Sequence, residues 1–107
     1  MPTIEHNGKS FSVDEDGFLT KGMEEWNNEW VAYVQGQEGI TDMTDEHSKV
    51  IDTLQEHYRK NGTAPMVRVL SKTTGFPLKR IFELFPSGPG KGACKMAGLP
   101  KESLTCL

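Results

Sequence analysis

The two cysteines of the chain, Cys94 and Cys106, both fall within its last twenty-two residues, Pro86 to Leu107. A thiolate is a nucleophile and an acceptor of sulfur, and its reactivity follows charge and exposure. Cys94 stands near the start of a short helical stretch, Ala93-Cys94-Lys95-Met96-Ala97, with Lys91 and Lys95 beside it. A helix start and neighbouring ammonium groups both predict a lowered thiol pKa. Cys106 lies one residue from the end, beyond Pro100, where Leu104 is the one apolar side chain before Cys106-Leu107. That is too little to bury, so Cys106 is predicted to be an accessible thiol on a movable arm. The nine residues from Gly98 to Cys106 reach about 30 Å when extended, enough to enter another protein's channel. Folded back, the same arm could bring Cys106 to Cys94. A direct disulfide needs Cα atoms within about 7 Å, and one inserted sulfur atom relaxes that limit. One fixed thiol and one swinging thiol suit a carrier that takes a sulfur atom at one place and releases it at another. The other reading of the spacing is a small packing residue at 94 and an incidental tail thiol at 106.

Several elements must position these thiols. Ser87, Gly88, Pro89, Gly90 and Gly92 resist regular structure, Pro89 suits a first helical turn, Gly98 suits its end, and Pro100 prevents a restart. At the other end of the chain, Asn7-Gly8 between Ile4-Glu5-His6 and Lys9-Ser10-Phe11-Ser12-Val13 is a strong hairpin signal. Asp14-Glu15-Asp16-Gly17 makes a second turn, with Phe18-Leu19 as a short third strand; the acids are a solvated turn, since the calcium-loop pattern is absent. Trp26 to Gln37 carries Trp26, Trp30, Tyr33 and Val34 at helical spacing, with Asn27 or Asn28 as cap and Gly36 and Gly39 closing it. That aromatic stripe reads as core, with no ligand role. A second helix follows Thr44 and ends at Asn61-Gly62, with His47, Val50, Ile51, Leu54 and Tyr58 inward. A third runs from Pro65 to Thr74 with Met66, Val67, Val69 and Leu70 inward, and a fourth from Pro77 to Phe85 with Leu78, Ile81, Phe82, Leu84 and Phe85 apolar. The last two resemble a helix-turn-helix carrying Arg68, Lys72, Lys79 and Arg80, yet the second offers few polar side chains to read base edges, so DNA is not the expected partner.

With 107 residues the chain makes one domain around a modest core. The expected fold is α+β: a small antiparallel meander over 1–20, a body of about five helices over 21–97, and a mobile arm over 98–107. The net charge of −3 conceals an asymmetry. Residues 1–60 carry thirteen acids against five Lys or Arg, a net of −8, and residues 61–107 two against seven, a net of +5. The basic half holds both cysteines and should face an anionic partner, substrate or cofactor, or else attract the acidic half within the fold. His47 and His57 do not share a helix face, and no zinc or haem motif is present. No run suffices for a membrane span, and Met1-Pro-Thr-Ile-Glu-His lacks the basic and apolar regions of a secretory signal. With only two cysteines, the expected home is a reducing cytoplasm.

Nearly the whole chain resembles the DsrC family, small proteins associated with dissimilatory sulfite reductase as its gamma subunit. The likeness rests on Gly8-Lys9-Ser10-Phe11, Val13-Asp14-Glu15-Asp16-Gly17-Phe18-Leu19, Ala64-Pro65-Met66-Val67-Arg68 and the long block Leu84 to Lys101, which contains Gly-Pro-Gly-Lys-Gly-Ala-Cys-Lys-Met-Ala-Gly-Leu-Pro-Lys. The resemblance implies that Cys106 enters the reductase channel toward the sirohaem and takes on sulfur at an intermediate oxidation level. Cys94 would then attack, leaving the substrate sulfur as a trisulfide between Cys94 and Cys106. It also implies no cofactor of the chain's own, the sirohaem belonging to the reductase. Expected partners are the reductase alpha and beta subunits, a membrane electron-transfer complex that reduces the trisulfide, and sulfurtransferases. Sulfur oxidisers run the cycle in reverse with a persulfide on Cys106. The chain would be a redox-active carrier and not a stand-alone catalyst, with Lys91, Lys95 and Lys101 as supporting cations. The related TusE-type proteins relay a persulfide toward 2-thiouridine in tRNA with the penultimate cysteine alone, and the presence of Cys94 favours the DsrC reading. One departure stands out: Glu102-Ser-Leu-Thr-Cys-Leu puts eleven residues between the cysteines, one more than the family arm. It lacks that arm's second proline and the glycine before its cysteine, which loosens the chain and adds bulk at Thr105. Glu102 also brings negative charge toward a site that handles sulfite.

Overall fold

The computed structural model describes residues 3–100. Strands β1 (Thr3–His6) and β2 (Lys9–Ser12) pair antiparallel, with Ile4 opposite Phe11 and His6 opposite Lys9. The hairpin turn needs positive φ at both central residues, and Asn7 (φ 49°) with Gly8 (φ 81°) supplies it. The expected third strand shrinks to a single bridge between Val13 and Leu19. Its turn is held by Asp14, whose Oδ1 accepts from the backbone N–H groups of Asp16 and Phe18 at 2.9 and 3.0 Å. One acid of the cluster thus shapes the loop, and Phe11, Val13, Phe18 and Leu19 are driven into the interior.

Helix α1 (Asn28–Glu38) starts two residues later than its aromatic spacing suggests, because the Asn27 side chain accepts the N–H of Trp30 at 3.0 Å and makes Asn27 the cap. Trp26 is left outside the helix. Gly36 lies within α1, and Gly39 ends it in the left-handed conformation. Helix α2 (Asp45–Asn61) opens with a capping box in which Thr44 accepts from the His47 N–H and the His47 ring accepts from the Thr44 N–H. The other ring nitrogen of His47, Nε2, donates to the Leu84 carbonyl at 3.0 Å. A neutral ring protonated on Nε2 therefore satisfies both bonds, and this explains a histidine on an otherwise apolar face.

Helices α3 (Val67–Thr74) and α4 (Leu78–Leu84) form the expected pair around Gly75. Their inward faces are narrower than the apolar pattern predicts. α3 buries Leu70 and Thr74, α4 buries Ile81 and Leu84, and Met66, Val69, Leu78 and Phe82 are all 40% or more exposed. A helix of two turns has room for one contact stripe, and residues spaced at i, i+3 or i+4 occupy it. Arg80 is withdrawn from the basic surface: its guanidinium binds Glu46 of α2 and reaches Glu83 at 3.3 Å. The Glu46 carboxyl is held below its ordinary range by that hydrogen bond. Arg68, Lys72 and Lys79 remain exposed.

Candidate functional site

The glycine-rich block folds as a π-helical turn, Pro89–Cys94, continued by Lys95 and Met96 in α conformation. Such wide turns are rare and concentrate at functional positions. Pro89 occupies the first turn and Gly98, at φ 81°, ends the helix, as the sequence predicts. Ala97 N–H bonds to the Ala93 carbonyl at 2.9 Å, and Leu99 N–H turns back to the carbonyl of Cys94 at 3.1 Å.

The loop before this turn is tied to the end of α1 by a carboxylate. Both Glu38 carboxylate oxygens accept from Ser87, at 3.0 Å from the backbone N–H and 2.6 Å from the hydroxyl. A Cβ on Gly92 would lie 2.8 Å from Glu38 Oε1 and 3.0 Å from Phe85 Cβ. A side chain at Gly92 would therefore crowd Phe85 and displace the Glu38 carboxylate from Ser87.

Cys94 itself is 0% exposed and belongs to the main core with Trp30, Phe85, Met96 and Leu99. Burial pushes its thiol pKa up to about 12, since a thiolate has no water to solvate it there. The lowered pKa expected from the sequence is thus reversed, for three reasons. Cys94 closes its turn instead of opening it, so it lies at the opposite end from the turn's positive N-terminus. Lys91 points into solvent. Lys95 lays its ammonium over the Phe18 ring, 5.2 Å from the centroid, beside the acidic turn of the meander. Sequence neighbours of a cysteine need not be its spatial neighbours. The predicted supporting cations Lys91 and Lys95 are placed in this way, and Lys101 and Cys106 lie outside the described residues.

The sequence reading missed what holds the cysteine turn in place. Trp30 Nε1 donates to the Lys95 carbonyl at 2.7 Å, Trp26 Nε1 to the Met96 carbonyl at 2.8 Å, and Gln55 Nε2 to the Ala97 carbonyl at 2.9 Å. Three successive carbonyls at a helix end are each given a side-chain donor, and that of Lys95 also accepts the Gly98 N–H at 3.1 Å. Trp26 and Trp30 were legible as an aromatic pair four apart, but nothing local marks a partner some seventy residues away. Gly98, Leu99 and Pro100, placed in the arm by the sequence reading, are buried here. Leu99 is 0% exposed.

The raised pKa of Cys94 gives a stability prediction with a definite sign. Below its ordinary pKa of 9.0 the Cys94 thiol is protonated whether the chain is folded or not, and burial costs nothing in ionisation. Above 9 the unfolded chain loses that proton and the folded chain keeps it until about 12, so stability falls with rising pH through this window. Comparing urea unfolding of wild type and Cys94→Ala from pH 8 to 11, the wild type should lose about 3 kcal/mol more than the variant. Parallel curves would show that the thiol is not shielded.

Among the described residues no three His, Cys, Asp or Glu side chains are grouped to hold a metal, and no helix is long and apolar enough to cross a membrane. The molecule is of the class of small α+β domains that bury a thiol at the end of a glycine-rich turn. The model for the family described as "DsrC like protein" matches residues 5–107, and the chain belongs to that family. It is 63% identical over 103 residues to the dissimilatory-type sulfite reductase subunit gamma of Nitratidesulfovibrio vulgaris, covering 96% of this chain and 97% of that one. It is 35% identical over 111 residues to the sulfurtransferase TusE of Sodalis glossinidius, covering 97% and 100%. Two solved structures agree in fold. One is a chain in the crystal structure of dissimilatory sulfite reductase I (TM-score 0.88, 61% identity, 94% of this chain and 95% of that one). The other is the oxidized gamma subunit from Archaeoglobus fulgidus (TM-score 0.82, 39% identity, 94% and 96%). The α+β class, the N-terminal hairpin and the helical array expected from the sequence are those of this family.

Proposed function

We propose that the chain is a sulfur carrier and co-substrate of dissimilatory sulfite reductase, working in the cytoplasm. The observation that carries this reading is the 63% identity, over nearly the full length of both chains, to a sulfite reductase gamma subunit, together with the two thiols at 94 and 106. Cys106 collects the partly reduced sulfur from the reductase, whose own sirohaem is the site of electron input. Cys94 then bonds to that sulfur, giving a trisulfide. The atoms balance: two thiols, one sulfite dianion, two electrons and four protons yield the trisulfide and three waters. A further four electrons and four protons, supplied by a membrane electron-transfer complex, return both thiols and release hydrogen sulfide. Thiols are the chemical groups that hold sulfur at such intermediate levels reversibly.

A second reading follows from the 35% identity to TusE, a persulfide relay toward tRNA thiolation in which Cys106 works alone. The two part company at Cys94. Reduced protein is mixed with a dissimilatory sulfite reductase, sulfite and a reductant, and its intact mass is followed. The co-substrate reading expects a species heavier by one sulfur, with both thiols blocked, and its loss in Cys94→Ala. An adduct on Cys106 that forms only with a persulfide donor, and is indifferent to Cys94→Ala, would favour the relay instead.

A further inference from the structure

Lys95, Met96 and Ala97 are held by three side chains that differ in how firmly they are themselves held. Trp30 is 0% exposed within α1, its ring packed on Phe11 and Tyr33. Gln55 is buried on the long helix α2. Trp26 is half-buried and stands in irregular chain between the short 3-10 turn Gly22–Glu24 and α1. Its ring lies directly on Gly98, where a Cβ would come within 2.7 Å of Trp26 Cδ1. At the other end of the same loop, a Cβ on Gly22 would lie 3.1 Å from Pro100 Cδ. Between these contacts Leu99 is fully buried, and its N–H is bonded to the carbonyl of Cys94. The loop 22–26 and the segment 98–100 therefore pack as a pair over the end of the cysteine turn, and Trp26 ties them together.

We infer that Trp26 is the positioning residue for Cys94: its indole latches residues 98–100 in place, and its release uncovers Cys94 while Trp30 and Gln55 keep the turn itself fixed. The inference rests on the reading of Cys94 as a sulfur-handling thiol and adds the gate such a thiol needs, because a 0% exposed sulfur cannot meet a second one. Opening breaks the Trp26–Met96 and Leu99–Cys94 bonds and leaves α1, α2 and their shared core intact. An opening of that kind is populated far more often than global unfolding. The latch keeps the thiol from stray oxidants and disulfides and exposes it on demand.

Iodoacetamide labelling of Cys94 tests this in protein carrying Cys106→Ala, at pH 8 without denaturant, read by intact mass beside urea unfolding of the same samples. Trp26→Phe keeps the ring and removes its N–H, stranding the Met96 carbonyl, and should speed labelling by about tenfold. Leu70→Val in α3 provides the reference for a plain loss of core stability. If Trp26→Phe speeds labelling no more than its lowered urea stability explains on the line set by wild type and Leu70→Val, the latch is wrong. Hydrogen exchange of the unmutated chain gives an answer that depends on no variant. The Leu99 amide should exchange at least about tenfold faster than the Leu54 amide of α2, and equal rates would overturn the proposal. Neither measurement uses Cys106 or a sulfur donor. Normal sulfur transfer without accelerated labelling would remove the latch and leave the carrier; accelerated labelling in a protein that never takes sulfur would do the reverse.

Discussion

Cys106→Ala is expected to abolish sulfur uptake and to lower carrier-dependent sulfide release by roughly a hundredfold or more, since loss of an attacking nucleophile leaves only what binding alone supplies. The reason for so large an effect is the contrast with Cys94. At neutral pH a thiol with a pKa pushed up to about 12 is almost entirely protonated, and it is sealed in the core. A thiol so placed is a poor first nucleophile, and in the proposed carrier cycle the first bond to sulfur falls to Cys106. Cys106→Ser should fail as badly, because a hydroxyl is far less acidic than a thiol and makes no stable bond to sulfur at these oxidation levels. Cys94→Ala should behave differently: Cys106 still collects sulfur, and the doubly linked product is missing. The measurement is intact mass after reductase turnover, with sulfide release followed in parallel. Unchanged sulfide release with Cys106→Ala would dispose of the carrier reading.

The contrast between the two cysteines also marks where local sequence stops being informative. Helix limits were legible wherever a single residue decides them. Asn27 and Thr44 accept the N–H groups three residues on, and Gly39, Gly62, Gly75 and Gly98 take the left-handed conformation that ends a helix. The α+β class and the cysteine-bearing turn followed from the same signals. Three features did not. The width of the turn at Pro89–Cys94 has no periodicity of its own to reveal it. The exposure of Val69, Leu78 and Phe82 depends on which stripe α2 leaves room for. The acidity of Cys94 is set by where Lys91 and Lys95 point, and Lys95 is drawn away by the face of Phe18, seventy-seven residues earlier in the chain. In each case a long-range contact overrides a neighbour in sequence.

Trp30 is a fully buried side chain that makes such a contact, and Trp30→Ala should cost about 3–5 kcal/mol in lost packing, as large-to-small core changes do. To that is added about 1 kcal/mol for the Lys95 carbonyl, which loses the indole donor and keeps only the Gly98 N–H at 3.1 Å. A domain of this size has about 5–15 kcal/mol in all, so the variant should be largely unfolded or melt far earlier. Trp30→Phe separates the two contributions. It retains a ring against Phe11 and Tyr33, whose centroids lie 5.1 and 5.5 Å from that of Trp30, and loses the indole N–H that reaches Lys95 at 2.7 Å. Its cost should therefore be nearer the smaller figure, with the α-helical circular dichroism preserved. Urea unfolding of both variants checks the order. If Trp30→Phe proved as damaging as Trp30→Ala, the hydrogen bond would outweigh the packing. If Trp30→Phe were neutral, the Gly98 N–H would suffice for the Lys95 carbonyl, and the side-chain hold on the cysteine turn would reduce to Trp26 and Gln55.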